Sequence, residues 1–228
     1  MIMPRAGHSM FYADGELTVV GGHTTGFKPT PTAEYYKDGK WNQLQTVYTH
    51  DNGFAVVLKS DSVLIGGGHN ESIGIGQTYL VEWYSPKEHT FSGFGCLDRK
   101  RTLAQAIELD SGKVVITGNH FEHDGIEMFD GHKAFSFVKD VTTERTCPYI
   151  FRMSGNDVMI LGANDNHYRP LDSIIIDRMR AGRSMYRYWR CGTRCLSNVL
   201  SIATPVSLAM SKKVTGHTYC LWSTPQTN

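Results

Sequence analysis

Three histidines, His23, His69 and His120, each closely follow an apolar run that ends in glycine. An imidazole recurring in that setting could hydrogen-bond a ligand hydroxyl, bond loop backbone that the glycines leave free, or ligate a metal. Zinc requires ligand nitrogens about 2 Å from one ion, and equivalent positions on successive repeats lie too far apart for that. His120-Phe-Glu-His123 with Asp124 is a denser cluster that could hold a cation, or be a solvated loop. Glu34, Glu82 and Glu127 resemble the paired carboxylates of glycoside chemistry, but their shared repeat position argues for a structural strand role. No G-x-S-x-G elbow, H-E-x-x-H or phosphate-binding glycine loop is present. The glycine-rich stretch from Gly66 to Gly76 is followed by no helix pattern, which argues against a nucleotide cradle. No cofactor is expected, and the reading leans away from an enzyme.

These residues must be positioned by short strands. The apolar runs are Leu17–Gly22, Val63–Gly68, Val114–Gly118 and Val158–Gly162. Aligned on Gly21, Gly67, Gly118 and Gly162, they are spaced by 46, 51 and 44 residues, a constant period with loop-sized variation. Each is preceded by a turn signal (Asp14-Gly15, Ser60–Ser62, Asp110–Gly112, Ser154–Asn156) and an earlier β-prone stretch. Asp-Gly between alternating apolar residues predicts a type I′ hairpin. Glu34-Tyr-Tyr36, Glu82-Trp-Tyr84 and Glu127-Met-Phe129 predict a third strand, followed by a turn and an aromatic-led fourth strand at Trp41, Phe91 and Phe135. The fourth unit weakens to Ser173–Asp177.

A glycine pair closing the second strand, an acidic-aromatic third strand and a later aromatic resemble the kelch repeat, over about residues 4–177. The third and fourth units depart from it, with Thr117-Gly118 and Leu161-Gly162 where two glycines are usual. The resemblance implies an all-β, kelch-type β-propeller of about four four-stranded blades, approximately 4–48, 49–99, 100–144 and 145–180, with an irregular C-terminal tail. Kelch propellers commonly have five to seven blades, so the ring is expected to be incomplete, as in a fragment. Residues after the glycine pair and those entering the first strand then face the channel mouth: His23, His69, His120 and Asn164, with Arg5, Asn52, Arg101 and Arg145. Such a ring would bind an anionic or polyhydroxy ligand or an acidic peptide, arginine forks suiting carboxylates and His and Asn suiting sugar hydroxyls. The blander reading is that the histidines serve loop backbone and recur through shared ancestry. Tyr79, Tyr84 and Cys96 invite comparison with kelch-type copper oxidases, but nothing in the sequence fixes a copper site, and no metal is assigned.

Composition agrees with many tight turns: the 228 residues include 23 glycines and only 20% charged residues. The formal net charge of +1 is uneven. Residues 1–177 hold all 22 acids against 15 basic residues, a balance of −7, whereas 178–228 hold eight basic residues and no acid. The segment 181–228 is therefore a non-repeating basic tail, a degenerate fifth blade, or sequence not selected for this fold. Five irregularly spaced cysteines suggest neither a disulfide framework nor a zinc knuckle. The N-terminus shows no secretory h-region or cleavage site, and no apolar run approaches the roughly 20 residues that span a bilayer. The chain as written is expected to be cytoplasmic, or exported if it is part of a longer precursor. The expected function is a non-catalytic binding propeller for a protein or glycan, without a nucleic-acid partner. The alternative is a carbohydrate-active isomerase, lyase or oxidase on the same scaffold. An incomplete ring would leave faces exposed and promote self-association.

Overall fold

Asp14 and Gly15 both have positive φ (49° and 81°), as do Asp38 and Gly39 (50° and 79°). Both pairs make the two-residue turn whose twist matches that of the strands it joins. They close the hairpins β1 (Ser9–Ala13)–β2 (Glu16–Val20) and β5 (Thr32–Lys37)–β6 (Lys40–Gln45). A short ribbon, β3 (His23–Thr24) with β4 (Lys28–Pro29), fills the loop between β2 and β5. In this computed structural model the described residues are 1–70, 76–119, 125–131, 135–139, 145–153, 156–162, 173–177 and 185–189.

The same four-stranded antiparallel meander recurs three more times. The second sheet holds β7 (Phe54–Val57), β8 (Val63–Gly66), β9 (Thr78–Ser85) and β10 (Thr90–Arg101). The third holds β11 (Gln105–Glu108), β12 (Val114–Thr117), β13 (Ile126–Phe129) and β14 (Phe135–Lys139). The fourth holds β15 (Tyr149–Arg152), β16 (Val158–Leu161), β17 (Ser173–Asp177) and β18 (Met185–Trp189). The protein is all-β, with no helix among the described residues and hence none there long and apolar enough to cross a membrane.

Two boundaries differ from the sequence reading. β10 continues to Arg101, past the expected break at residue 99, with bulges after Gly93 and Cys96. The segment Met185–Trp189, expected in the tail, pairs with β17 from Ser173↔Trp189 to Asp177↔Met185. An edge strand needs only backbone partners, so it carries no glycine-terminated signature. Residues 190–228, including Cys191, Cys195 and Cys220, lie outside the described residues.

Strand alternation gives each sheet two faces. Successive sheets bury three shared cores. Phe11, Val20 and Ala33 meet Val63, Ile65 and Tyr84. Phe54, Leu64 and Val81 meet Val114, Ile116 and Phe129. Val115, Ile126 and Met128 meet Val158, Ile160 and Ile174. The first strands β1, β7, β11 and β15 lie beside one another in chain order. Burial pushes the Tyr84 phenol up to about 12.

In the first two sheets the glycines that close the second strands are required by this packing. Gly21 and Gly67 have φ of +68° and +66°, and a Cβ there would lie 2.3 Å from the His50 carbonyl oxygen and 2.6 Å from that of Arg101. Those carbonyls accept the N–H of the following glycine, Gly22 (3.2 Å) and Gly68 (2.6 Å). Each sheet is thereby stitched to the segment leading into the next. In the third sheet Asn119 takes the second position and donates its N–H to the Arg145 carbonyl at 3.2 Å.

Candidate functional site

The residues leading into the first strands form a buried repeat of their own. Arg5 donates to the carbonyls of Gly21 (3.0 Å) and Thr32 (2.8 Å) and pairs with Glu34 at 2.8 Å. Arg101 donates to the carbonyls of Gly118 (3.2 Å) and Gly125 (3.3 Å) and pairs with Glu127 at 2.7 Å. Arg145, also buried, donates to the Gly162 carbonyl. In the second sheet this position is His50, whose Nδ1 meets the Gly67 carbonyl at 2.8 Å. Its Nε2 lies 3.2 Å from Glu82, without hydrogen-bond alignment.

The glutamates complete the device. Beyond the cation, Glu34 accepts the backbone N–H groups of Ile2 and Met3, Glu82 that of Val47 (2.8 Å) and Glu127 that of Asp98 (2.8 Å). Ile2, Val47 and Asp98 each lie three residues before the cation or its histidine counterpart, so each carboxylate holds one turn of the leading segment. The fourth sheet has Ile174 at this register position. The glutamates thus serve the structure, and Arg5, Arg101 and Arg145 turn into their sheets rather than towards a ligand at the mouth. Asn52 is not their counterpart: it lies two residues beyond His50, where the other units have Gly7, Leu103 and Cys147. All four have positive φ, between 54° and 65°. The mismatch arises because the second unit uses histidine where the others use arginine, so residue type alone does not reveal the alignment.

An acid-stability prediction follows. Burial pushes the Glu34 carboxyl up, but the Ile2 and Met3 N–H groups and the Arg5 guanidinium outweigh it and hold the group below its ordinary value. Glu16 behaves alike: burial raises it, and bonds from Lys37 and His89 lower it further. A carboxyl depressed in the folded state contributes stability that is full above its unfolded value and is lost as pH falls through the folded one. Denaturation midpoints should therefore fall on acidification, and the slope should be shallower in Glu34→Gln. Parallel acid limbs in the two proteins would contradict this.

The four positive-φ residues ring a cavity of about 380 Å³ between the first strands. Its wall comprises Gly7, His8, Ser9 and Met10; Asn52, Gly53, Phe54 and Ala55; Leu103, Ala104 and Gln105; and Cys147, Pro148 and Tyr149. Backbone bonds from Asn52 N–H to Gly7 and from Leu103 N–H to Asn52, each 2.8 Å, run around its rim. The lining has no Asp, Glu, Lys or Arg. His8 is held below its ordinary pKa by burial first and then by Arg5, which favours the neutral ring. Burial pushes the Cys147 thiol up, favouring the uncharged thiol. Tyr149, 68% exposed, offers an aromatic face.

Beside the rim, His23 and His69 come from the loops of two neighbouring sheets. Each is pinned by a backbone bridge, His23 to Ala6 and His69 to Asp51. Both rings approach one carboxylate: His23 Nδ1 lies 2.7 Å from Asp51 Oδ1, and His69 Nδ1 lies 3.8 Å from Oδ2, beyond hydrogen-bond range. The Asn52 amide donates to Asp51 Oδ1 at 3.1 Å. Thus His23, Asn52 and His69 share one site. His120 and Asn164, and the cluster from His120 to Asp124, lie outside the described residues. The repeat motifs do not single out Asp51, although one signal marks it: it is the lone acid among Ala6, Asp51, Thr102 and Thr146, which occupy one repeat position. Among the described residues no three His, Cys, Asp or Glu side chains are grouped to hold a metal ion. Tyr84 belongs to the core between the first two sheets, while Cys96 is exposed on β10.

Fold and site define an all-β repeat protein with an uncharged cavity where its sheets converge. No protein-family model and no curated protein matches the chain.

Proposed function

We propose that the four sheets are consecutive blades of a kelch-type β-propeller and that the chain is a non-catalytic binding module for a protein or carbohydrate ligand. The observation that carries this is the cavity lining: Ser9, Asn52 and Gln105 bring uncharged polar groups to it, and Tyr149 brings a ring. Such a lining suits sugar hydroxyls and sugar faces, or an uncharged peptide segment, better than an anion. With Arg5 and Arg101 committed to Glu34 and Glu127, the charge that would select carboxylates or sulfates is spent inside the sheets.

Glycan and peptide arrays with the purified protein test this. Gln105→Ala, Tyr149→Ala and Asn52→Gly, the last keeping the positive φ, should each weaken binding about tenfold, or about 1.4 kcal/mol. Unchanged binding in all three would remove the cavity as the site. A second reading, a carbohydrate-active enzyme, rests on the His23–Asp51 pair, an imidazole–carboxylate couple at the rim. Sugar turnover abolished by Asp51→Asn would establish it in place of the first.

A further inference from the structure

The second sheet is led in by His50-Asp51, where the first, third and fourth have Arg5-Ala6, Arg101-Thr102 and Arg145-Thr146. A permanent cation and an uncharged neighbour are thus replaced by two titratable groups. The Gly67 carbonyl can only accept, so His50 Nδ1, 2.8 Å away, carries a proton. Nε2 then presents either a second proton or a lone pair to Glu82 Oε1, 3.2 Å away. Neither of these two atoms has a hydrogen-bond partner, and both side chains are buried. A lone pair against a carboxylate oxygen in a dry interior is repulsive, so one proton belongs between the two. At Asp51, His23 Nδ1 donates to Oδ1 at 2.7 Å. His69 Nδ1 lies 3.8 Å from Oδ2, shielded from solvent and without a hydrogen-bond partner. A proton on His69 turns that approach into an ion pair.

The titratable groups facing His50 are Glu82, on β9, and the Tyr48 phenol, whose ring meets the imidazole edge-on at 6.4 Å. Those facing Asp51 are His23 and His69, from the loops after β2 and β8. Arg5 and Arg101 are committed to Glu34 and Glu127, so imidazoles alone can supply charge to this segment. We propose that His50-Asp51 is a proton-operated latch on the cavity wall, which holds the second sheet's leading segment when protonated and loosens it as pH rises through the histidine range. Asn52, Gly53, Phe54 and Ala55 follow directly and line the cavity. The rim bonds to Gly7 and from Leu103 both run through Asn52. The latch is a property of the wall and stands whichever ligand the cavity takes. A proton bound in the latched state and released from the open one stabilises the latch at low pH, whichever of His50 and Glu82 carries it. The sign is opposite to that of Glu34 and Glu16, whose contributions are lost on acidification.

Amide hydrogen exchange of the full chain tests this with an internal control. Gly22, Gly68 and Asn119 donate their N–H groups to the carbonyls of His50, Arg101 and Arg145, the same stitch made to one histidine and two arginines. Between about pH 6 and about pH 8 the protection factor of Gly22 should fall about tenfold, while those of Gly68 and Asn119 hold steady. His50→Arg combined with Asp51→Thr gives the second sheet the pair found in the third, and should make Gly22 as constant as the other two. Gly22 protection that tracks Gly68 and Asn119 in the wild type would overturn the proposal. So would a fall at Gly22 that persists in the folded double variant. If the double variant does not fold, the comparison of the three amides in the wild type decides alone.

Discussion

Arg101→Ala is expected to destabilise the protein by about 3–5 kcal/mol, the usual cost of removing one partner from a buried ion pair. The Arg101 side chain is fully buried, as is Glu127, and the two meet at 2.7 Å. Truncation leaves a buried carboxylate that keeps the Asp98 N–H but loses its cation, and strips two carbonyls, Gly118 and Gly125, of a donor. The cost comes from what is left unpaired rather than from the attraction itself. Replacing both partners, as in Arg101→Met with Glu127→Leu, should therefore cost less than Arg101→Ala alone. Urea denaturation of the wild type, the two singles and the double closes the cycle. A loss below about 1 kcal/mol for Arg101→Ala would mean that water reaches the pair.

Phe129→Ala should cost a similar amount, about 3–5 kcal/mol. Its ring, fully buried, sits among Trp83 (5.9 Å), Phe94 (5.4 Å) and Phe135 (4.8 Å), and so couples the second and third sheets. Rigid neighbours on two sheets leave little scope for the site to collapse around the cavity. In an array stabilised through nearest-neighbour contacts, weakening one interface should also broaden the unfolding transition. Tyr36→Ala provides the contrast: it changes the corresponding residue of the first sheet, which is 41% exposed. It should cost well under half as much. Equal losses in the two variants would show that the first sheet's leading face is already covered.

The strands and turns were legible because their determinants are local. Asp14-Gly15 dictates its turn through positive φ, and the apolar runs ending at Gly21, Gly67, Gly118 and Gly162 are β2, β8, β12 and β16 with their closing residues. Recurrence of Glu34, Glu82 and Glu127 pointed to a structural role, and each does hold the segment leading into its sheet. The site was legible only in part. The channel-mouth set included Arg5, Arg101 and Arg145, yet the direction of a long side chain depends on partners far along the chain: for Arg101, a glutamate 26 residues away. His23 and His69 were recognised as related positions, but their meeting at Asp51 requires two sheets to lie side by side.

By itself, the sequence determined an all-β repeat chain, the positions of its turns and the hairpin at Asp14-Gly15. These follow from backbone conformational limits and apolar alternation within a few residues. The tertiary structure decided which recurring polar residues are buried and which line the cavity. It also decided that Met185–Trp189 completes the fourth sheet and that Tyr36 stays 41% exposed where its counterparts Tyr84 and Phe129 are fully buried. Those outcomes depend on which faces and edges meet, and burial is a property of the assembled sheets rather than of any one strand.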